Sequence, residues 1–292
     1  MNEKGTLKMN QNTPWVLGIG EVLWDMLPDG KHCGGAVANV VYHLSKGGIK
    51  SAITSAVGND ALGEELLDFL SSRGISTEFV STNNFNTGIV EVSLNNGIPQ
   101  YNICQPSAWD RILLSGNLKK ILPELRAVIF GTLAQRSPES RNTICEVLQS
   151  VPETCLKIFD INLRQHYYDK ELIQTSLKLC NVLKINDEEL NIIAKLFPLG
   201  NTPQQMMKSL AEQYRLKAVI LTLGKDGSML FDGNSFSEYP VIPCKVADTV
   251  GCGDAFLAGW CSAVLKGESM KKAMQTGTEL SAVVASQKGA ME

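Results

Sequence analysis

The stretch 248–256 carries the residues of this chain that are best suited to chemistry. It reads Asp-Thr-Val-Gly-Cys-Gly-Asp-Ala-Phe, with Gly251 and Gly253 one residue apart and Asp254 directly after them. Glycines let a backbone turn sharply and bring bare N–H groups close to an anion. The apolar run 256–265 predicts a buried helix, whose N-terminus favours negative charge inside the protein. The pattern indicates phosphoryl transfer with Asp254 as the proton acceptor; the alternative is that Asp254 only caps the helix.

Composition places the chain among ordinary globular proteins. It has 292 residues, of which 44% are hydrophobic and 20% charged, and a formal net charge of −3. A basic excess typical of nucleic-acid binders is missing, so we expect no nucleic-acid partner. The apolar run after Asp254 is interrupted by Ser262 and Lys266 before it reaches a membrane-spanning length, so we expect no membrane partner.

The cysteines and the N-terminus bear on the compartment. Eight cysteines are scattered without a CxxC pair and with only three histidines, which predicts neither a zinc site nor a disulfide framework. The first residues are polar and include Glu3, unlike a secretory signal. We therefore expect a cytoplasmic protein with reduced thiols and a disordered tail over residues 1–13.

Short apolar runs alternate with amphipathic helical patterns along most of the chain. The predicted strands are 15–20, 51–57, 125–130, 155–159, 182–185 and 217–223, and the predicted helices are 36–46, one that ends at 73, and 270–287. This alternation predicts an α/β fold with a mostly parallel central sheet, in one domain over residues 14–292. Polar residues that follow such strands lie at the edge where open α/β sheets bind ligands.

A carboxylate, a glycine pair and an amide lie near the N-terminus. Asp25 follows the first strand, and Gly34 and Gly35 precede the helix that carries Asn39. By itself, a glycine pair before a helix is usually an ordinary turn. Residues 89–104 predict a hairpin around Asn95-Asn96-Gly97, and an edge hairpin of the main sheet is one interpretation of it.

Two further groups of polar residues follow predicted strands. Asp160, Asn162 and Arg164 come after 155–159, and alternate residues of an extended segment share a face, so we expect the three to converge. A lone arginine after a strand is otherwise a solvated residue. Asn186 and Glu189 have the spacing of a plain capping box.

The stretch DTVGCGDAF closely resembles DTVGAGDAF, the C-terminal signature of the ribokinase-like (PfkB) carbohydrate kinases, with Cys252 in place of alanine. Eight further stretches resemble motifs of the family and occur in family order: GE-x-L-x-D, GG-x-x-x-N, G-x-D-x-x-G, GTLA, DINLR (with Ile161 in place of proline), N-x-x-E, TLGKDG and SQKGA. The likeness is strongest to fructokinases. The resemblance implies a three-layer α/β/α ribokinase-like fold with a small antiparallel β-lid, built from about 21–33 and 86–105, through which homodimers form.

The resemblance also implies a role for each matching residue. Asp25, Gly34, Gly35 and Asn39 would bind the sugar, and Asp254 would be the general base. The backbone N–H groups of Gly251, Cys252 and Gly253, together with Arg164, would stabilise the transferred phosphate. ATP would lie against Asn186, Thr222, Gly224, Gly227 and Gly253. Glu189 would hold Mg²⁺ through water, and carbonyls around Asp248 and Val250 would form an optional K⁺ site.

Two expectations about reactivity and substrate follow. A carboxylate beside a helix N-terminus should be a weak base, which a loose phosphoryl-transfer transition state tolerates. The segments expected near the sugar offer few cations, chiefly Lys31, Lys46 and Arg111, so an uncharged sugar such as fructose is expected. Ribose, 2-keto-3-deoxygluconate or a nucleoside are alternative acceptors. A sugar-binding regulator without activity is the alternative class, motivated by Cys252 and Ile161.

Neither a GxxxxGK[ST] loop nor a GxGxxG fingerprint is present, which argues against P-loop kinases and dinucleotide dehydrogenases.

Overall fold

The computed structural model describes residues 15–95 and 98–291. The strands are β1 (Trp15–Ile19), β2 (Leu23–Leu27), β3 (Gly30–Gly34), β4 (Lys50–Gly58), β5 (Ser76–Asn83), β6 (Ile89–Asn95), β7 (Ile98–Ile103), β8 (Leu125–Phe130), β9 (Leu156–Asp160), β10 (Val182–Asn186), β11 (Ala218–Thr222), β12 (Ser228–Phe231) and β13 (Phe236–Tyr239). The α-helices are α1 (Ala36–Lys46), α2 (Ala61–Ser72), α3 (Gly116–Ile121), α4 (Pro138–Ser150), α5 (Lys170–Leu179), α6 (Asp187–Leu196), α7 (Pro203–Tyr214), α8 (Cys252–Leu265) and α9 (Met270–Ala285).

Nine strands form the central sheet in the order β13-β12-β11-β10-β9-β8-β1-β4-β5. Every neighbouring pair from β11 to β5 is parallel, and β12 and β13 add antiparallel strands at one edge. Parallel strands need crossover connections, and here most of them are helices. The predicted α/β fold with a mostly parallel sheet is thereby confirmed, and the carboxyl ends of its parallel strands lie along one edge.

Helices cover both faces of this sheet because its strands are apolar on both faces. One face packs against α4 to α7 through side chains such as Ile144, Leu172 and Met207. The other packs against α1, α8 and α9, where Trp260 is fully buried. The structure is therefore three layers, α/β/α, and α8 is buried as its unbroken apolar sequence predicts.

The lid is a separate four-stranded sheet in the order β3-β2-β6-β7. The pairs β2–β3 and β6–β7 are antiparallel hairpins, and β2 and β6 join them by parallel pairing. The hairpin β6–β7 is therefore not an edge of the main sheet. The predicted turn at residues 96–97 and the predicted tail at 1–13 lie outside the described residues. Among the described helices, none is long and apolar enough to cross a membrane.

Candidate active site

Asp254 lies in the first turn of α8, and its Oδ2 accepts a hydrogen bond of 2.7 Å from Nδ2 of Asn39 on α1. Gly251, not Asp254, is the residue that precedes the helix, and it has φ +77°. A side chain there would also collide with Ala290, so only glycine suits this position. The alternative that Asp254 only caps the helix therefore does not hold.

Asp254 is a stronger base than its place at a helix N-terminus suggests. Burial raises the pKa of this carboxyl to about 7, and the neighbouring Asp160 carboxylate adds to the effect. Lys184, Asn39 and Arg164 oppose it without cancelling it. The expectation of a weak base is wrong, because desolvation outweighs the helix terminus. A general base whose pKa lies near the working pH is well matched to proton transfer.

A buried ion pair that the sequence analysis missed lies beside Asp254. Nζ of Lys184, on β10, is 2.9 and 3.0 Å from the two carboxylate oxygens of Asp160, at the end of β9. Burial alone would lower the pKa of Lys184, but the carboxylates of Asp160, Asp254 and Glu189 outweigh it and raise that pKa. Nζ is 3.1 Å from the position of a Cβ built on Gly253, so its charge stands next to the glycine turn. The signal in the sequence was a lone lysine within an apolar strand.

Arg164 lies on an arch rather than on an extended segment. β9 ends at Asp160, and Asn162 and Gln165 adopt left-handed backbone conformations, with φ of 44° and 49°. The predicted convergence of alternate side chains on one face is therefore wrong in its geometry: Asp160 is buried and Arg164 is exposed. The charge of Arg164 nevertheless lowers the pKa of both Asp254 and Asp25, so the guanidinium lies within electrostatic range of both carboxyls.

Asn186 and Glu189 form the predicted capping box of α6. Oδ1 of Asn186 accepts the Glu189 amide at 2.8 Å, and Oε2 of Glu189 accepts the Asn186 amide at 3.0 Å. The other oxygen of Glu189 accepts the Leu163 amide at 2.9 Å, which braces the Arg164 arch. Burial, with Asp160 adding to it, raises the pKa of Glu189. A carboxylate has about four acceptor positions, so this one keeps room for a metal-bound water.

The predicted sugar-binding residues lie around the lid. Asp25 is half-buried on β2, and a Cβ on Gly34 would be 2.5 Å from its Oδ2. Gly35 has φ +120°, and a side chain there would collide with the carbonyl of Glu21. The glycine pair is thus required by close packing around Asp25. Burial raises the pKa of Asp25, and the charges of His32 and Arg164 oppose this.

Glu21, which the sequence analysis did not single out, is a further buried carboxyl at this site. Burial raises its pKa, although the backbone amides of Glu21 and Ala36 bond to it. It lines a cavity of about 10 Å³ together with Thr132, Asp160 and Asn162. A volume of that size is close to the minimum for one water molecule.

The predicted nucleotide residues lie at the ends of neighbouring elements. Thr222 ends β11 and is half-buried, and Gly224 and Gly227 have φ of +54° and +97° in the turn to β12. Before α8, Oδ1 of Asp248 accepts the Val250 amide at 3.0 Å and Oδ2 accepts the Gly289 amide at 3.1 Å. These two bonds fix the loop that precedes the glycine turn.

The chain matches one family and several sugar kinases. The model of the pfkB family carbohydrate kinases matches residues 29–292. An uncharacterized sugar kinase from Pyrococcus horikoshii is 30% identical over 276 residues, which cover 88% of this chain and 85% of that protein. Its structure in complex with ATP superimposes with a TM-score of 0.80 over 94% of each chain, at 27% identity.

Two other relatives differ in the acceptor that their names state. The ATP-dependent 6-phosphofructokinase of Thermoanaerobacterium thermosaccharolyticum is 29% identical over 289 residues, or 91% of this chain and 86% of that protein. A double mutant of the fructokinase from Vibrio cholerae O395, solved with fructose, ADP and a potassium ion, has a TM-score of 0.82 over 96% of this chain and 94% of its own, at 20% identity. This fructokinase structure thus shares the whole ribokinase-like fold with the present chain.

Proposed function

Since the chain belongs to the PfkB family of carbohydrate kinases, we propose that it transfers the γ-phosphate of ATP to a primary hydroxyl group of an uncharged sugar, most simply fructose. The observation that carries this proposal is Asp254, whose pKa burial raises to about 7, directly after a glycine turn whose first residue only glycine can occupy. A tuned base next to an anion-binding turn is what phosphoryl transfer to an alcohol requires.

In the proposed mechanism Asp254 accepts the proton of the sugar hydroxyl as that oxygen attacks the γ-phosphorus of ATP. The bond from this phosphorus to the β,γ-bridging oxygen breaks, and ADP leaves with its electron pair. Backbone N–H groups of Gly251, Cys252 and Gly253 surround the developing charge, and Arg164 adds a cation from the arch. The Cys252 amide donates a long hydrogen bond of 3.3 Å to the Thr249 carbonyl, and it would exchange this bond for one to phosphate. Asn39 keeps the Asp254 carboxylate oriented.

The proposed ATP-binding residues are Asn186, Thr222, Gly224, Gly227 and Gly253. Two ions are proposed beside them. Mg²⁺ bound with ATP would offset the charge of the phosphates. Glu189 suits an indirect role, because each of its oxygens already accepts an amide and the acceptor positions that remain can take a metal-bound water. The backbone carbonyls of Asp248 and Val250 are the proposed ligands of K⁺.

The cations near the lid support an uncharged acceptor. Lys31 forms an ion pair with Glu65, and Arg111 lies 3.4 Å from Glu139. Arg136, which is buried, makes a bidentate pair with Asp110. These cations are already paired, whereas a phosphorylated sugar would need unengaged guanidinium groups. His32 lies opposite Asp25 on the paired strand, and its Nε2 is 3.2 Å from Oδ1 of Asp29.

Fructose 6-phosphate is the second candidate acceptor, and it is favoured by the 29% identity with a 6-phosphofructokinase. Arg164 is the cation that could serve it, since its charge reaches Asp25 as well as Asp254. One arginine shared between the transferred phosphate and a second phosphate is a weak basis for binding both. Fructose therefore remains the first choice.

A homodimer through the lid and a cytoplasmic location belong to the same proposal. Met26 on β2 and Tyr101 on β7 are 37% and 57% exposed. The strand register pairs Met26 with Glu91 and Glu91 with Asn102, so Met26 and Tyr101 lie on opposite faces of the lid, and each face offers one exposed apolar side chain to a partner. Sedimentation of the purified protein, and its shift to a monomer in a Met26→Glu, Tyr101→Glu variant, would test the dimer.

A panel of acceptors tests the proposed function. ADP release from ATP is measured with fructose, ribose, 2-keto-3-deoxygluconate, a nucleoside and fructose 6-phosphate, each with and without K⁺. We expect the highest kcat/KM with fructose. Calorimetric binding of a sugar without any ADP release would instead identify a regulator, and preference for fructose 6-phosphate would reject the uncharged acceptor.

A further inference from the structure

The edge strand of the lid is tied to the Arg164 arch. Nε2 of Gln165 donates a hydrogen bond of 2.6 Å to the carbonyl oxygen of Tyr101, on β7. The Tyr167 hydroxyl donates one of 3.2 Å to the carbonyl of Ile103, two residues further on. Alternate carbonyls of an edge strand point away from its sheet, and these two are satisfied by the chain segment that directly follows Arg164.

The arch, residues 161–165, is also bonded to segments near the carboxyl ends of the central strands. Oγ1 of Thr132 donates to the carbonyls of Ile161 and Asn162, at 2.9 and 3.1 Å. The Leu163 amide donates to Glu189 at 2.9 Å. Arg164 therefore lies between Leu163, which is bonded to Glu189 of α6, and Gln165, which is bonded to β7 of the lid.

The backbone of the arch is strained at two points. Asn162 and Gln165 both have positive φ, which costs an L-residue about 1–2 kcal/mol. Asparagine tolerates this conformation, but glutamine gains nothing from it locally. Such strain persists where surrounding contacts over-determine it, and the described contact of the Gln165 side chain is the one to Tyr101.

We propose that Gln165 is a positioning residue for phosphoryl transfer: its bond to the lid edge lets the lid, when it rests on a sugar, set the position of Arg164 at the phosphate. The inference rests on the proposed function, since it assigns the sugar to the lid and the phosphate to Arg164. Linkage then requires that sugar and nucleotide strengthen each other's binding by the same factor.

Gln165 is better suited to a test than Tyr167. The Arg136 guanidinium carbon also lies 4.9 Å from the centroid of the Tyr167 ring, so removal of this ring would disturb packing. Gln165 is exposed, and its loss removes little buried surface. Gln165→Ala removes the amide, and Gln165→Asn keeps an amide that suits positive φ but is one methylene too short to reach β7. Gln204→Ala, at an exposed position of α7, is the matched control.

The experiment measures the dissociation constant of a non-hydrolysable ATP analogue with and without saturating fructose, and kcat with fructose and ATP. We expect both Gln165 variants to reduce the sugar-dependent tightening, and kcat, by about threefold to tenfold, the range of one hydrogen bond. The affinity for fructose alone should change by less than about twofold, because Gln165 is outside the sugar site. Gln204→Ala should match the wild type.

A double-mutant cycle shows whether Gln165 acts through Arg164. In an Arg164→Ala background, Gln165→Ala should cost nothing further in kcat, because the group that it positions is gone. Additive losses, or variants whose sugar-dependent tightening equals that of the wild type, would overturn the inference and leave the proposed function intact. A wild-type protein that phosphorylates no sugar would reject the proposed function and this inference with it.

Discussion

The proposed phosphate side of the site, around Asp254 and Lys184, and the proposed sugar side, around Asp25, are built in different ways. On the phosphate side, Asp160 and Lys184 are buried and bonded to each other, and Glu189 is bonded to two backbone amides. On the sugar side, Asp25 is half-buried on a lid strand, and the outer edge of the lid depends on single bonds from Gln165 and Tyr167. The first side is built into the ends of the central sheet, and the second rests on a separate small sheet.

This difference assigns phosphoryl transfer to one group of residues and the choice of the acceptor to another. Charge that develops in a transition state is stabilised by groups that are already fixed in a site of low dielectric, as the phosphate side provides. A lid that belongs to another sheet can change its side chains without disturbing those groups. We therefore expect changes on the phosphate side to affect turnover and stability, and changes in the lid to affect the choice and affinity of the acceptor.

The largest effect is expected from Asp254→Asn. Turnover should fall by at least about 10²-fold, the contribution of a general base, while the affinity for fructose changes little. The raised pKa means that the ionised carboxylate opposes folding as the pH rises from 3.8 toward 7, so the variant should melt no lower than the wild type at pH 8. Retained turnover, measured as ADP release, would reject Asp254 as the base.

Lys184→Met tests the buried charges of the phosphate side. It leaves the Asp160 carboxylate buried without its partner, so the free energy of unfolding should fall by about 3–5 kcal/mol. Addition of Asp160→Asn should recover most of the lost free energy of unfolding, because no unpaired charge is then buried at this position. Urea denaturation of the two variants measures both values, and a single variant as stable as the wild type would show that the pair is solvated.

Asp25→Asn tests the sugar side. The KM for fructose should rise about tenfold to a hundredfold, because hydrogen bonds to a charged group contribute about 1.5–3 kcal/mol each. The KM for ATP should stay within about twofold. Asp29→Asn, in the turn of the same lid hairpin, is the matched control and should leave both constants unchanged. An equal rise in both KM values would place Asp25 outside the sugar site.

The pH dependence of kcat/KM sharpens the comparison, because it isolates one group of the phosphate side. Asp254 must be ionised to accept a proton, and its pKa is raised to about 7. We expect kcat/KM to fall tenfold for each pH unit below about 7 and to level off above it. An acidic limb that appears only below pH 5 would show that burial does not raise this pKa in solution.

The smallest effect is expected from Cys252→Ala, which restores the usual family residue. In the proposed mechanism the turn binds phosphate through backbone N–H groups and not through side chains, and the Cys252 thiol lies 3.9 Å from the carbonyl of Asp248. Turnover should therefore stay within about twofold of the wild type. A larger change in kcat would mean that the departure at this position, one motive for the regulator alternative, affects the turn itself.

Much of the fold could be predicted from local pattern. The predicted bounds of β8, α1 and the Asn186–Glu189 capping box agree with the structure. The edge strands β5 and β13 were missed, because their half-exposed residues show no apolar run. The extended conformation expected after β9 was wrong, because Asn162 and Gln165 adopt left-handed conformations. Asparagine tolerates this conformation without requiring it, and glutamine does not favour it.

The sequence alone determined the family and most of the alternation of strands and helices, and it singled out Asp25 and Asp254 as candidate site residues, because periodicity, glycine turns and signature motifs are local along the chain. Only the tertiary structure decided how these groups behave. The bond from Asn39 to Asp254 joins residues 215 positions apart, and the Lys184–Asp160 pair joins neighbouring strands. The pKa of a carboxyl depends on its burial and its charged neighbours, and these exist only once distant segments have packed together.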